Sequence, residues 1–135
     1  MEKNTERKIY RFTNVPRHLY YYETDNEAFH LREGYRKELE PYKYKKVKVT
    51  GCLSDHKYKG GLLYILIKDV DIVNKKDTIS LDHIWVVVKP AELKEIKEIK
   101  DQNVSIIGLV NFYYTGNKKA GNIGIRPFSL EIIEE

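Results

Sequence analysis

The chain has 135 residues and a formal net charge of +4, which gives room for one hydrophobic core and not for two. Apolar residues make up 41% and charged residues 33%, the balance of a water-soluble globular protein, and no run approaches the length of a membrane span. A single cysteine, Cys52, excludes an internal disulfide and a multi-cysteine zinc site, and suits a reducing compartment.

Met1 to Lys8 contain no apolar signal region, so a cytoplasmic location is expected. Ile9–Phe12 reads as a short strand, and Pro16 prevents its continuation. Tyr20, Tyr21 and Tyr22 sit in a row and cannot all face one core. Thr24 and Glu27 form a capping box, and Ala28, Leu31, Tyr35 and Leu39 fall on one helical stripe behind it. Gly34 weakens that helix and Pro41 marks its end. Residues 1–44 are therefore predicted to be an extension with one helix, packed on the rest of the chain or projecting from it.

From about residue 45 the apolar period becomes two. Val47, Val49 and Leu53 mark a first strand, with Gly51 as a bulge. Ser54–Gly61 reads as a basic loop. Leu62–Lys68 is a second strand with Leu63, Ile65 and Ile67 facing inward, and Val70 and Ile72 extend it past a bend. A turn over Asn74–Asp77 leads to a third strand, Thr78–Val88, whose faces are both apolar, so its phase stays open. Pro90 opens a short helix carrying the stripe Leu93, Ile96 and Ile99. Val104–Tyr114 and Ile123–Ile133 are the fourth and fifth strands. The prediction for residues 45–135 is a mainly β domain, a small five-stranded barrel with a helix between its third and fourth strands.

No arrangement of catalytic groups emerges. His18, His30, His56 and His83 are scattered, and phosphate-loop, nucleophile-elbow and dinucleotide patterns are missing. Asp69 and Asp71 share a strand face, which reads as a charged pair at a strand end in preference to a cation site. Neither an enzyme nor a cofactor or metal is expected.

Binding is better supplied. Residues 41–60 hold six lysines (Lys43, Lys45, Lys46, Lys48, Lys57 and Lys59) against Asp55 alone, whereas residues 61–135 hold ten basic and eleven acidic side chains. Single-stranded nucleic acid asks for cations along phosphates and flat rings against bases. In the first loop Lys57 and Lys59 flank Tyr58, with His56 beside them and Gly60–Gly61 as a hinge. In the fourth–fifth connection Lys118 and Lys119 lie between Gly116 and Gly121. Tyr64 alternates against the inward set, together with Lys68, and so points outward. Tyr114 shares a strand face with Phe112, and Tyr113 takes the other. Trp85 and Phe112 are each open between core and stacking platform. Arg126 is open between phosphate contact and surface charge. Lys46 and Lys48 suit either the binding face or an edge strand protected against pairing.

The element order and the placement of the two basic loops over residues 45–133 resemble the OB-fold, a five-stranded Greek-key barrel, and its single-stranded DNA-binding members in particular. Asp82-His83-Ile84-Trp85 looks like an Asp-His-x-Trp signature of small OB-fold proteins of phages and other bacterial mobile elements. Asn103–Val110 is similar to the fourth strand of such proteins. The resemblance implies non-catalytic binding of single-stranded DNA, with RNA as the near alternative, in replication, repair or recombination of a mobile element. It also departs from the tetrameric bacterial type. The segment Leu130–Glu135 carries no acidic, proline- and glycine-rich tail, so recruitment of partners through such a tail is not expected. The competing expectation is a protein-interaction module, such as a small subunit of a replication complex or a phage factor acting on a host protein. Tyr10, Phe12 and Tyr20–Tyr22 of the extension are its candidate interface aromatics.

Overall fold

A computed structural model describes residues 8–13, 19–21, 34, 36–115 and 120–133. The chain is mainly β. Its strands are β1 (Ile9–Arg11), β2 (Tyr20–Tyr21), β3 (Lys46–Lys59), β4 (Leu62–Asn74), β5 (Asp77–Val88), β6 (Asn103–Thr115) and β7 (Ala120–Ile132). All join one antiparallel sheet in the order β1-β7-β6-β3-β4-β5, with β2 attached to β6. The strands predicted from residue 45 onward are therefore present as β3 to β7.

Several boundaries differ from the sequence reading, each for a physical reason. The expected loop Ser54–Gly61 is largely strand. β3 continues to Lys59, which pairs with Leu62, and the chain reverses at Gly60 and Gly61 with φ of 59° and 79°. A two-residue hairpin turn with both φ values positive matches the right-handed twist of its strands and favours glycine. β3 is also central, paired with β4 on one side and β6 on the other. That removes edge protection as the reason for Lys46 and Lys48.

Gly51 marks a register shift between Thr50 and Cys52, as its place in the strand suggested. A Cβ there would lie 2.6 Å from Ile67 Cγ2 and 2.7 Å from the Lys68 carbonyl oxygen, so no side chain fits without displacing β4.

The helix predicted after Pro90 is replaced by a 3-10 turn, Pro90–Glu92, and a run of further turns to residue 101. So short a segment gains little from a helical ladder. Its conformation is held by burial of Leu93, Ile96 and Ile99 and by a return to β3, where Asp101 N–H donates to the Leu53 carbonyl at 2.6 Å.

The expected helix over residues 24–39 lies mostly outside the described residues. Its C-terminal end is a 3-10 helix, Lys37–Tyr42, with Pro41 inside it and Leu39 fully buried. β1 pairs with β7, and Phe12 enters the core. Tyr10 donates its hydroxyl hydrogen bond to Glu95 at 2.8 Å, and the Thr13 N–H donates to Glu92 at 2.9 Å. Tyr10, Phe12 and Tyr20 are thus used in internal packing, which corrects their reading as free interface aromatics. Tyr22 lies outside the described residues.

The main core gathers Leu53 from β3, Leu63, Ile65, Ile67 and Ile72 from β4, and Ile84, Val86 and Val88 from β5. Val104, Ile106, Val110 and Phe112 of β6 and Ile123, Ile125 and Leu130 of β7 complete it. β5 and β7 lie side by side without a ladder between them, so the hydrogen-bonded path is an open sheet and not a closed five-stranded barrel. No helix among the described residues is long and apolar enough to cross a membrane.

Candidate nucleic-acid interface

The side-chain alternation of β4 and β5 builds the site. Leu63, Ile65 and Ile67 point into the core, so Leu62, Tyr64, Leu66 and Lys68 take the opposite face. On β5, Ile84, Val86 and Val88 are buried in the core, which turns His83, Trp85 and Val87 outward. The phase left open by sequence is therefore resolved with Trp85 on the Tyr64 face.

Register then brings the outer residues together. Lys57 of β3 stands opposite Tyr64, and Tyr64 opposite Val87. The next outward pair on β4 and β5 is Leu66 with Trp85, and the one beyond it Lys68 with His83. The Lys57 ammonium lies 4.8 Å from the Trp85 ring centroid and 5.8 Å from that of Tyr64. Both distances are within cation–π range, a contact of about 0.5–1 kcal/mol where it is open to solvent. Trp85 and Tyr64 are half-buried and Lys57 is exposed, so two ring surfaces and a cation share one wet face. Among the described residues no carboxylate pairs with Lys57.

Beside this group lies a second, smaller apolar cluster of Leu19, Tyr20, Leu62 and Val87, against which Tyr64 and Tyr113 pack. Tyr113 lies over Gly124 of β7, where a Cβ would come within 2.8 Å of its ring. Tyr20 is buried and donates its hydroxyl hydrogen bond to the Ile125 carbonyl at 3.3 Å. Burial, reinforced by the neighbouring Tyr113 phenol, pushes the Tyr20 hydroxyl well above the ordinary tyrosine range, and the Val87 backbone and Arg126 only partly oppose it. Arg126 is half-buried on β7, and its Nε is buried with no hydrogen-bond partner among the described residues.

The remaining predicted site residues divide. Lys68 joins the group, next to Trp85 along the outer face. Lys59 is exposed at the hairpin end, across from Leu62. His56 and Tyr58 do not join it: they stand opposite Ile65 and Leu63, on the other face of the hairpin from Lys57. There they meet edge to face, ring centroids 5.7 Å apart at 87°. The imagined cluster of Lys57, Tyr58 and Lys59 fails because the segment is a strand, and neighbours on a strand face opposite ways. Lys46 and Lys48 are exposed on β3, but nine residues from Lys48 to Lys57 is roughly 30 Å of strand, too far for one compact site. Phe112 belongs to the core, edge to face with Tyr44 at 5.8 Å. The side chain of Tyr114, and Lys118 and Lys119, lie outside the described part of the chain.

Sequence reading missed Tyr113 as a site residue. The signal was present in β6: Val110 and Phe112 alternate inward, which sends residue 113 to the outer face. Among the described residues no group of three or more His, Cys, Asp or Glu is placed to hold a metal ion. Asp71 instead accepts a hydrogen bond from Ser80 at 2.7 Å.

No protein-family model matches the chain, and no curated protein sequence matches it.

Proposed function

We propose that this chain binds single-stranded nucleic acid, DNA in the first instance, and catalyses no reaction on it. The observation that carries the reading is the Lys57–Tyr64–Trp85 group, a cation over two ring faces on the outer side of β3, β4 and β5. A base has a π-face whatever its identity, so two accessible rings hold bases without reading sequence, at about 1–3 kcal/mol each. Lys57, Lys59 and Lys68 supply cations beside the rings, and the half-buried Arg126 lies beyond them on β7.

The ladder order supports the finer fold reading as well. β3 pairs with both β4 and β6, β4 with β5, and β6 with β7. That is the pairing expected of an OB-fold Greek key whose last seam, β5 to β7, is left unladdered. Replication, repair or recombination of a phage or other mobile element, in the cytoplasm, is the setting this reading suggests. The protein-interaction alternative loses support with the internal packing of Tyr10, Phe12 and Tyr20.

Anisotropy titrations of labelled single-stranded DNA, single-stranded RNA and duplex DNA across a salt series test the function. Single strands are expected to bind best. If Lys57, Lys59, Lys68 and Arg126 each neutralise one phosphate, log affinity falls against log salt with a slope of about −3. Matched DNA and RNA strands separate the two ligands, since only a contact to the 2′-hydroxyl tells them apart. Absence of binding to any single strand at low salt contradicts the proposal.

A further inference from the structure

The proposed interface has two halves that the backbone does not tie directly. Tyr64 and Trp85 stand on the β4–β5 hairpin, with Lys57 over them. Tyr113 and Arg126 stand on the β6–β7 hairpin. These hairpins meet at the seam between β5 and β7, where no ladder joins them. Through β3 they are joined only on the far side.

The Tyr20 side chain crosses that seam. Tyr20 is anchored on β6 by its pairing with Tyr113. Its ring is buried with Leu62 and Val87, at 8% exposure, too little for a base to stack on it. Its hydroxyl donates to the Ile125 carbonyl of β7 at 3.3 Å. On the β5 side its ring packs against Val87. Ile125 directly precedes Arg126, and Val87 is the register partner of Tyr64. The bridge therefore ends beside one interface residue on each hairpin.

We infer that Tyr20 is a positioning residue of the proposed interface: by bridging β5 and β7 it holds Tyr113 and Arg126 in line with Tyr64, Trp85 and Lys57, so that one strand of nucleic acid meets both halves at once. This rests on the binding reading above. It assigns the described part of the N-terminal region a role in ligand binding without direct contact. The bridge is not a pH switch near neutrality, because the buried phenol stays protonated there.

Tyr20→Phe keeps the ring and removes the bridge. Its affinity for a labelled oligothymidine is expected to fall by a hydrogen bond's worth, roughly three- to tenfold. Its salt slope is expected to become shallower, to the value of Arg126→Gln, by about 0.7. The double variant is expected to be no weaker than the weaker single variant, because both changes remove the same contact. Losses that add in the double variant overturn the inference. So does a Tyr20→Phe protein with a lowered Tm but unchanged affinity and salt slope, the result for a purely structural tyrosine. Absence of binding by the wild-type chain removes the function proposal and this inference together; binding by the wild type with no effect of Tyr20→Phe removes the inference alone.

Discussion

Lys57 owes its place to strand parity. Opposite Tyr64 it shares the outer face with Trp85, whereas Tyr58, one residue later, turns away. Lys57→Met keeps the apolar stem and deletes the charge. Its affinity for single-stranded DNA is expected to fall several-fold, with a salt slope shallower by about 0.7. Tyr58→Ala, measured in the same titration, is expected to bind within about twofold of wild type even though Tyr58 is the more exposed aromatic, 57% against a half-buried Tyr64. A second expectation concerns Tyr10. Burial, then its hydrogen bond to Glu95, then the charge of Glu95 raise its hydroxyl to about 12. The raised value means the folded state favours the protonated phenol. That contribution to stability is complete below pH 10, the unfolded value, and is lost as pH rises toward 12. Chemical denaturation between these limits is expected to show a steeper loss for wild type than for Tyr10→Phe.

At the scale of elements, β4 is legible in the sequence and the phase of β5 is not, and the difference is physical. Tyr64 and Lys68 interrupt a run of aliphatics on β4, so its two faces separate on paper. β5 carries Val87 on its outer face beneath Leu19 and Tyr20, residues far away in sequence, and a strand covered on both sides loses its alternation. Ser54–Lys59 reads as loop for the opposite reason. The β4 arm of the ribbon is buried at Leu62, Leu63 and Ile65, but Ser54–Lys59 on the β3 arm are exposed or half-buried, so no apolar rhythm announces that segment as strand. The turn that closes this ribbon is testable. Replacing both Gly60 and Gly61 by alanine places two Cβ atoms in left-handed backbone, at a cost of roughly 1–2 kcal/mol each. Urea denaturation is expected to show that loss. Binding is expected to weaken with it, because Lys57 and Lys59 ride on the ribbon. The segment after Pro90 carries a different lesson: its apolar stripe is visible in the sequence and its helix does not form, because burial of Leu93, Ile96 and Ile99 is compatible with a chain of turns.

Over the whole molecule, the sheet is built around β3, which pairs on both sides, and its path ends at β1 and β5. This explains how two charge groups of similar appearance came apart. Lys46 and Lys48 ride the same long strand as Lys57 but lie roughly 30 Å along it from the rings. The candidate site thus contracted to the hairpin end of β3 with the outer faces of β4 and β5. It also gained Tyr113 and Tyr20, which no local pattern connects to Trp85. Trp85 is the single tryptophan of the chain, so its emission reports on this face alone. Titration of the protein with an unstructured oligothymidine at low salt, following Trp85 emission and ligand anisotropy together, tests whether a single strand lies on the Trp85 face. The expected result is a saturable change in Trp85 emission that tracks the anisotropy and reverses on adding salt. Binding with unchanged Trp85 emission would place the strand on another surface, and no binding at all would contradict the function.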